Sequence, residues 1–298
     1  MNKDWSPKRW ANHLTRLLDA VYTDGRFPVD VKLVAEDFTK QLYPDRPINL
    51  IKGASLPGFE GALYPSPPGK PKGWGIIYNS DIQSSGRINF TLAHELGHYL
   101  VHRNKYPNGL ECQQEDFLKW DSEYAQVESE ANDFAASLLM PLNDFRSKIG
   151  ASDKPTLADI GACAERYEVS LTAAILRWLQ YTSRRAVLVV SRDGFIKWAR
   201  SSDSALKSGL FFRTRNQPPI PIPRRSLAAQ PPSPDGRNLE KQHGQDVWLN
   251  EPCCEFILAS DRYDLVFSLL HFDEQVKDDG YGEDRSFDSY DQFVRNSR

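Results

Sequence analysis

Apolar residues recur along this chain at two spacings, and the change from one to the other divides it. Residues 7–22 repeat at helical intervals, with Trp10, Leu14, Leu17, Leu18 and Val21 on one side and Gly25 beyond the end. Asp30 is placed to cap a second helix running to about Gln41. Three short runs with strand character follow at 48–53, 59–64 and 74–79. The next segment, from Phe90 to Val101, contains no proline and is apolar round most of a helix. Phe90, Ala93, Gly97, Leu100 and Val101 form one stripe, and Leu92, Leu96 and Tyr99 cover another side. Helical spacing returns in Tyr124–Met140, where Val127, Ala131, Phe134, Ala135 and Leu138 make a core stripe ended by Pro141.

Beyond Pro141 the pattern predicts a helix pair at 156–167 and 170–183, with Ser170 as the cap between them. The pair has helix-turn-helix proportions. Its second helix, however, offers only Arg177 and Gln180 before Arg184 and Arg185, so packing against the first domain is the expected role. Alternating and continuous apolar runs then take over. Ala186–Val190 and Phe195–Trp198 flank the turn Arg192-Asp193-Gly194, and Asp246–Leu249, Cys254–Ala259 and Leu265–His271 read as further strands. Between them, residues 213–241 carry seven prolines and six Arg/Lys against two acids. Such a segment is expected to be an extended, mobile linker or surface loop. The acidic tail 273–298 is expected to be largely disordered.

The fold class expected is therefore α+β, in four parts. Residues 1–150 form a catalytic-type domain, 151–184 the helical pair and 185–272 a β-rich module with its Pro-rich basic insert at 213–241; 273–298 form the tail.

The buried helix carries the chemistry. Thr91, His94, Glu95, His98 and His102 share its one polar face. Two imidazoles four residues apart, as in His94-Glu-x-x-His98, stand one above the other about 6 Å apart along the axis and can close on one Zn²⁺. Glu95 is then held where it can take a proton from water. Buried unpaired imidazoles and a carboxylate would cost several kcal/mol, and a metal supplies their partners. On the second helix, Glu128 and Asn132 lie four apart on one face. Glu128 suits a third ligand, and Asn132 suits a hydrogen bond that orients a ligating imidazole. Glu130 is the rival, but it lies about 200° round the helix from Glu128 and reads as solvated. His102 is roughly 12 Å along the axis from His94, with no glycine turn to bring it back, and reads as structural or as a support to a ligand.

Composition narrows the setting. Hydrophobic residues are 40% and charged residues 26% of 298, a globular balance, and a net charge of −3 gives no reason to expect nonspecific DNA binding. The start MNKDWSPKRWANHL lacks the apolar core of a signal peptide, and no apolar run approaches the roughly 20 residues that span a bilayer. Cys112, Cys163, Cys253 and Cys254 follow no disulfide or zinc spacing, so a reducing cytoplasm is expected, with Cys253 and Cys254 as buried thiols.

Residues Arg87–His102 (RINFTLAHELGHYLVH) and Glu128–Pro141 (ESEANDFAASLLMP) closely resemble the ImmA/IrrE family of zinc metallo-endopeptidases. The resemblance extends upstream to Phe27–Val31 and Ile76–Asn79 and covers roughly residues 7–183. It implies a zincin-like (gluzincin) domain with His94, His98 and Glu128 as zinc ligands and Glu95 as base. It also implies as substrate a helix-turn-helix repressor, cut in a stress response or in mobile-element regulation. In a zincin the strand 74–79 would edge the cleft and could accept an extended substrate, although an internal strand that never meets substrate is the more common arrangement. The competing expectation is a zinc-containing regulatory protein that senses a ligand or sequesters a repressor without cutting it.

Overall fold

The computed structural model describes residues 4–22, 25–113, 123–214, 217–230, 239–260 and 264–274. These form two compact units, one of residues 1–148 and 160–177, the other of residues 149–159 and 178–298.

The first unit opens with α1 (Pro7–Val21), whose Ser6 Oγ accepts a hydrogen bond from the Arg9 amide while Pro7 occupies the first turn. Trp10, Ala11 and Leu14 are buried, but Leu17 and Val21 are 41% and 72% exposed, so the expected five-residue stripe is buried only in its first half. Asp30 caps the next helical stretch through the Leu33 amide at 3.0 Å. That stretch is continuous from 31 to 42 but irregular: α2 (Val31–Leu33), a π-helical turn (Val34–Phe38) and α3 (Thr39–Leu42). Thr39 Oγ1 donates to Ala35 O at 2.6 Å and accepts the Ile48 amide at 2.8 Å, tying the helix to the first strand.

Four strands follow: β1 (Ile48–Ala54), β2 (Phe59–Pro65), β3 (Trp74–Asn79) and, after helix α4 (Ser85–Val101), β4 (Leu110–Gln113). The sheet order is β1-β3-β2-β4, with β1 parallel to β3 and the other pairs antiparallel. This decides between the two alternatives for residues 74–79 in favour of the internal strand. β3 is paired on both sides, so its backbone donors and acceptors are spent within the sheet and it cannot receive a substrate strand. β4, too short to register as an apolar run, was not foreseen; among the described residues it pairs on one side only. Ile48, Leu63 and Ile76 are fully buried. Helix α4 packs on β2 and β3, and α5 (Glu123–Leu139) packs on α4 and α1. α6 (Leu142–Lys148), α7 (Leu157–Tyr167) and α8 (Leu171–Leu179) follow, with Ser170 Oγ accepting from the Ala173 amide at 3.1 Å as the cap of α8. Arg177 is buried and donates to Met140 O at 2.8 Å, so this cation is committed to packing.

The second unit is built on a six-stranded antiparallel sheet in the order β7-β6-β5-β10-β9-β8. Its strands are β5 (Arg185–Arg192), β6 (Phe195–Ser201), β7 (Ile220–Pro221), β8 (Leu239–His243), β9 (Cys253–Ser260) and β10 (Leu265–Phe272). The hairpin β5–β6 turns at Asp193 and Gly194, with φ of 51° and 77° as a two-residue turn of the primed type requires. A short helix, α9 (Asp203–Lys207), follows β6. Val187, Val189, Ile196, Leu210, Trp248 and Phe272 belong to its core.

Two expectations for this unit are corrected. Residues 246–249 are not a strand: Asp246 takes φ 67° and its amide closes on Leu249 O at 2.9 Å, which makes a turn. Residues 239–243 supply the strand instead. The described part of the 213–241 insert is also not merely solvated linker. Ile220 and Pro221 pair with β6, Ser226 is fully buried and Leu227 is 6% exposed. The Leu227 and Ala228 amides donate to the fully buried carboxylate of Glu255 at 2.8 and 3.3 Å. Ser268 Oγ at 2.9 Å and His243 Nε2 at 2.6 Å complete the shell of that carboxylate, which burial would otherwise make costly. Cys253 and Cys254 are buried free thiols, and burial pushes them up to about 12 and about 11, far from reactive thiolates. The remainder of the insert at 215–216 and 231–238, and the tail from 275, lie outside the described residues.

Candidate metal centre

Helix α4 is buried along nearly its whole length: His94 is 5% exposed and Glu95 and His98 not at all. Ser84 starts it by accepting the Arg87 amide at 3.3 Å, and His102 ends it. Two glycines let its neighbours come close. A Cβ on Gly97 would lie 2.9 Å from the Phe134 ring, so the small residue sets the approach of α5. A Cβ on Gly61 of β2 would meet the Thr91 methyl at 2.5 Å and Glu95 Oε1 at 2.8 Å. The strand backbone therefore lies directly over the Glu95 carboxyl group.

The approach of α5 brings Glu128 to the two imidazoles. His94 Nε2 and His98 Nε2 are 2.9 Å apart; Glu128 Oε2 is 3.2 Å from the first and Glu128 Oε1 3.3 Å from the second. Two ligands about 2.0–2.1 Å from a tetrahedral Zn²⁺ stand about 3.3 Å from each other, so the spacing of this triangle fits such an ion. His94, His98 and Glu128 could hold a metal ion together, all three being buried with ligand atoms within 4.8 Å of one another.

Ring orientation fits the same use. His94 Nδ1 lies 3.0 Å from Asn132 Oδ1, an acceptor, so Nδ1 carries the proton and the neutral ring turns a bare Nε2 to the cluster. Electrostatics without an ion show how tightly the groups are coupled. Burial opposes a charge on His94, but the hydrogen bond and charge of Glu128, with the charge of Glu95, raise its pKa above the ordinary histidine value. Burial, then the neighbouring His94, push His98 down to about 4. Burial alone would raise Glu128, yet hydrogen bonds to both imidazoles hold it well below the usual carboxylate range.

The Glu130 side chain is 33% exposed, as its helical position implied in part, but it also has partners in the structure. Its Oε2 lies 3.0 Å from His102 Nε2, and its Oε1 accepts from Gln126 Nε2 at 2.9 Å. His102, 4% exposed, in turn places Nδ1 3.1 Å from His98 Nδ1. It stands behind the second imidazole, on the side away from Glu128. Helical spacing shows that His102 cannot share an ion with His94; it does not show this contact, because the partner carboxylate comes from another helix.

Residues 54–179 match the peptidase M78 family, described as the IrrE N-terminal-like domain. The match supports an ImmA/IrrE-type domain over that span. The matched span contains β2 to α8 and every residue of the cluster. It is narrower than the stretch over which the sequence resembles this family, and it does not include the six-stranded sheet. No curated protein matches the chain. The matched span thus combines similarity to a metallopeptidase-type family with three residues able to hold an ion. No helix among the described residues is long and apolar enough to cross a membrane.

Proposed function

We propose that this chain is a zinc-dependent endopeptidase that cuts a cytoplasmic protein, with a helix-turn-helix repressor as the substrate class. The observation that carries the reading is the convergence of His94, His98 and Glu128 from two helices, with Glu95 buried beside them. The donor set is of the kind found in catalytic zinc sites, two imidazoles and a carboxylate.

His94 and His98 present bare nitrogens, and Glu128 contributes the carboxylate that closes the triangle. Zinc, when bound, supplies a Lewis acid that polarises the scissile carbonyl and acidifies water. Glu95 is the base: its carboxylate takes the proton of the attacking water and delivers it to the leaving amine nitrogen, a role worth roughly 10²–10⁴ in rate. Asn132 holds the His94 ring in the required tautomer. Among the described residues β4 lies at a sheet edge, on which an extended peptide can add by main-chain hydrogen bonds, in place of residues 74–79.

Glu95→Gln tests the assignment. It removes the base and leaves all three ligands in place, so the variant is expected to retain stoichiometric zinc and lose cleavage of a repressor substrate by at least about 10²-fold. Metal analysis and mass spectrometry of the substrate are made on one preparation. Cleavage at the wild-type rate would refute Glu95 as base. A wild-type chain that holds zinc and binds a repressor but never cuts it would favour the non-proteolytic regulatory reading.

A further inference from the structure

A histidine can ligate a metal through Nε2 only if its proton sits on Nδ1, and a buried ring needs something to hold it there. For His94 that group is the Asn132 amide oxygen. For His98 the neighbour at Nδ1 is another imidazole, His102, at 3.1 Å, which by itself specifies nothing because either ring can donate. The ambiguity is broken one step further out. Glu130 Oε2 lies 3.0 Å from His102 Nε2, and a carboxylate can only accept. A neutral His102 must then carry its single proton on Nε2, which leaves its Nδ1 bare. A bare Nδ1 can only accept, so His98 donates from Nδ1 and its Nε2 lone pair is turned to the side where His94 Nε2 lies at 2.9 Å and Glu128 Oε1 at 3.3 Å.

We propose that Glu130 and His102 form a positioning relay that fixes the tautomer and orientation of His98 as a metal ligand. The inference rests on the metal-site reading above and adds two residues to it, neither of which touches the ion. The two imidazole ligands are oriented by different devices from one helix: Asn132 of α5 directly, Glu130 of α5 through His102. The relay also accounts for the burial of His102.

The test uses the full chain and zinc affinity, read by competition with a chromogenic chelator, so that no cleavage assay is needed. His102→Leu removes the acceptor and Glu130→Ala removes the group that sets its tautomer; each is expected to weaken zinc binding about 10–100-fold. His102→Asn places an amide oxygen where Nδ1 stood, an acceptor that needs no help from Glu130. That variant should bind zinc within a few-fold of wild type, and adding Glu130→Ala to it should change nothing more. Nitrogen-15 spectra of the histidine rings in the zinc-loaded chain should show the proton on Nδ1 of His98 and on Nε2 of His102. A His102 ring protonated on Nδ1 would overturn the relay, as would a Glu130→Ala loss of equal size in the His102→Asn background. If Glu128→Ala loses zinc while His102→Leu keeps it at wild-type affinity, the relay fails and the metal site stands. If the wild-type chain takes up no zinc, the metal-site reading fails and this inference with it.

Discussion

His271 on β10 shows how one residue can set the pH response of a whole unit. It is 2% exposed, donates from Nε2 to Pro155 O at 3.1 Å, and its Nδ1 has no hydrogen-bond partner among the described residues. Trp178 and Phe256 rings lie 5.4 and 5.5 Å away. Burial, then the charge of Lys154, hold its pKa down at about 4 against 6.5 for an ordinary histidine. The unfolded chain therefore binds a proton in a range where the folded chain does not. The stability from this residue is complete above about pH 6.5 and is lost as pH falls towards 4, by about 3 kcal/mol in all. Denaturant unfolding of wild type and His271→Leu at pH 7 and pH 4.5 is expected to show a smaller acid loss in the variant. Equal losses would mean that His271 is not the responsible group.

At the scale of elements, the site depends on how closely two helices pack. Gly97 faces Phe134, which is fully buried in α5, and the same helix carries Glu128 six residues earlier. Gly97→Ala puts a methyl group 2.9 Å from the ring, and a buried phenyl ring in a packed core cannot step aside freely. The variant is expected to lose about 1–3 kcal/mol of stability and, because α5 is pushed outward, to bind zinc more weakly. Thermal unfolding in chelator and zinc titration separate the two effects. Wild-type values in both would show that the helices are not held at contact. The sheet behind α4 depends on a similar closeness at Gly61, over Glu95.

At the scale of the molecule, the chain enters the second unit at 149–159, returns to the first at 160–177 and leaves again at 178. Tyr181 OH donates to Ile149 O at 2.6 Å, Thr182 Oγ1 to Ala151 O at 2.8 Å, and His271 reaches Pro155 O. A cut near Thr182 therefore does not follow a boundary. It leaves residues 149–159 in the fragment without the strands that complete their unit, although Ile149 and Leu157 are buried in the full chain. Fragment 1–182 is expected to be aggregation-prone or to melt well below the full chain, measured by size-exclusion chromatography and thermal unfolding. A monodisperse, zinc-loaded fragment with an undiminished melting temperature would refute this.

Much of the site was legible in the sequence because it is local. Helical spacing puts His94 over His98 and Glu128 beside Asn132, and burial on an apolar helix demands partners for them. Capping residues Asp30 and Ser170 and the Asp193-Gly194 turn mark their elements through hydrogen bonds or backbone angles that span only a few residues. What only the tertiary structure decided is non-local. Strand order made β3 interior and, among the described residues, left β4 at the edge, and no periodicity within a strand encodes its neighbours. The exposed half of α1, the burial of Leu227 in a Pro-rich segment and the shell around Glu255 depend on elements distant in sequence. So does the contact from Glu130 to His102: their faces are set by separate helices, and only the angle and distance at which α4 and α5 pack bring the carboxylate to the ring.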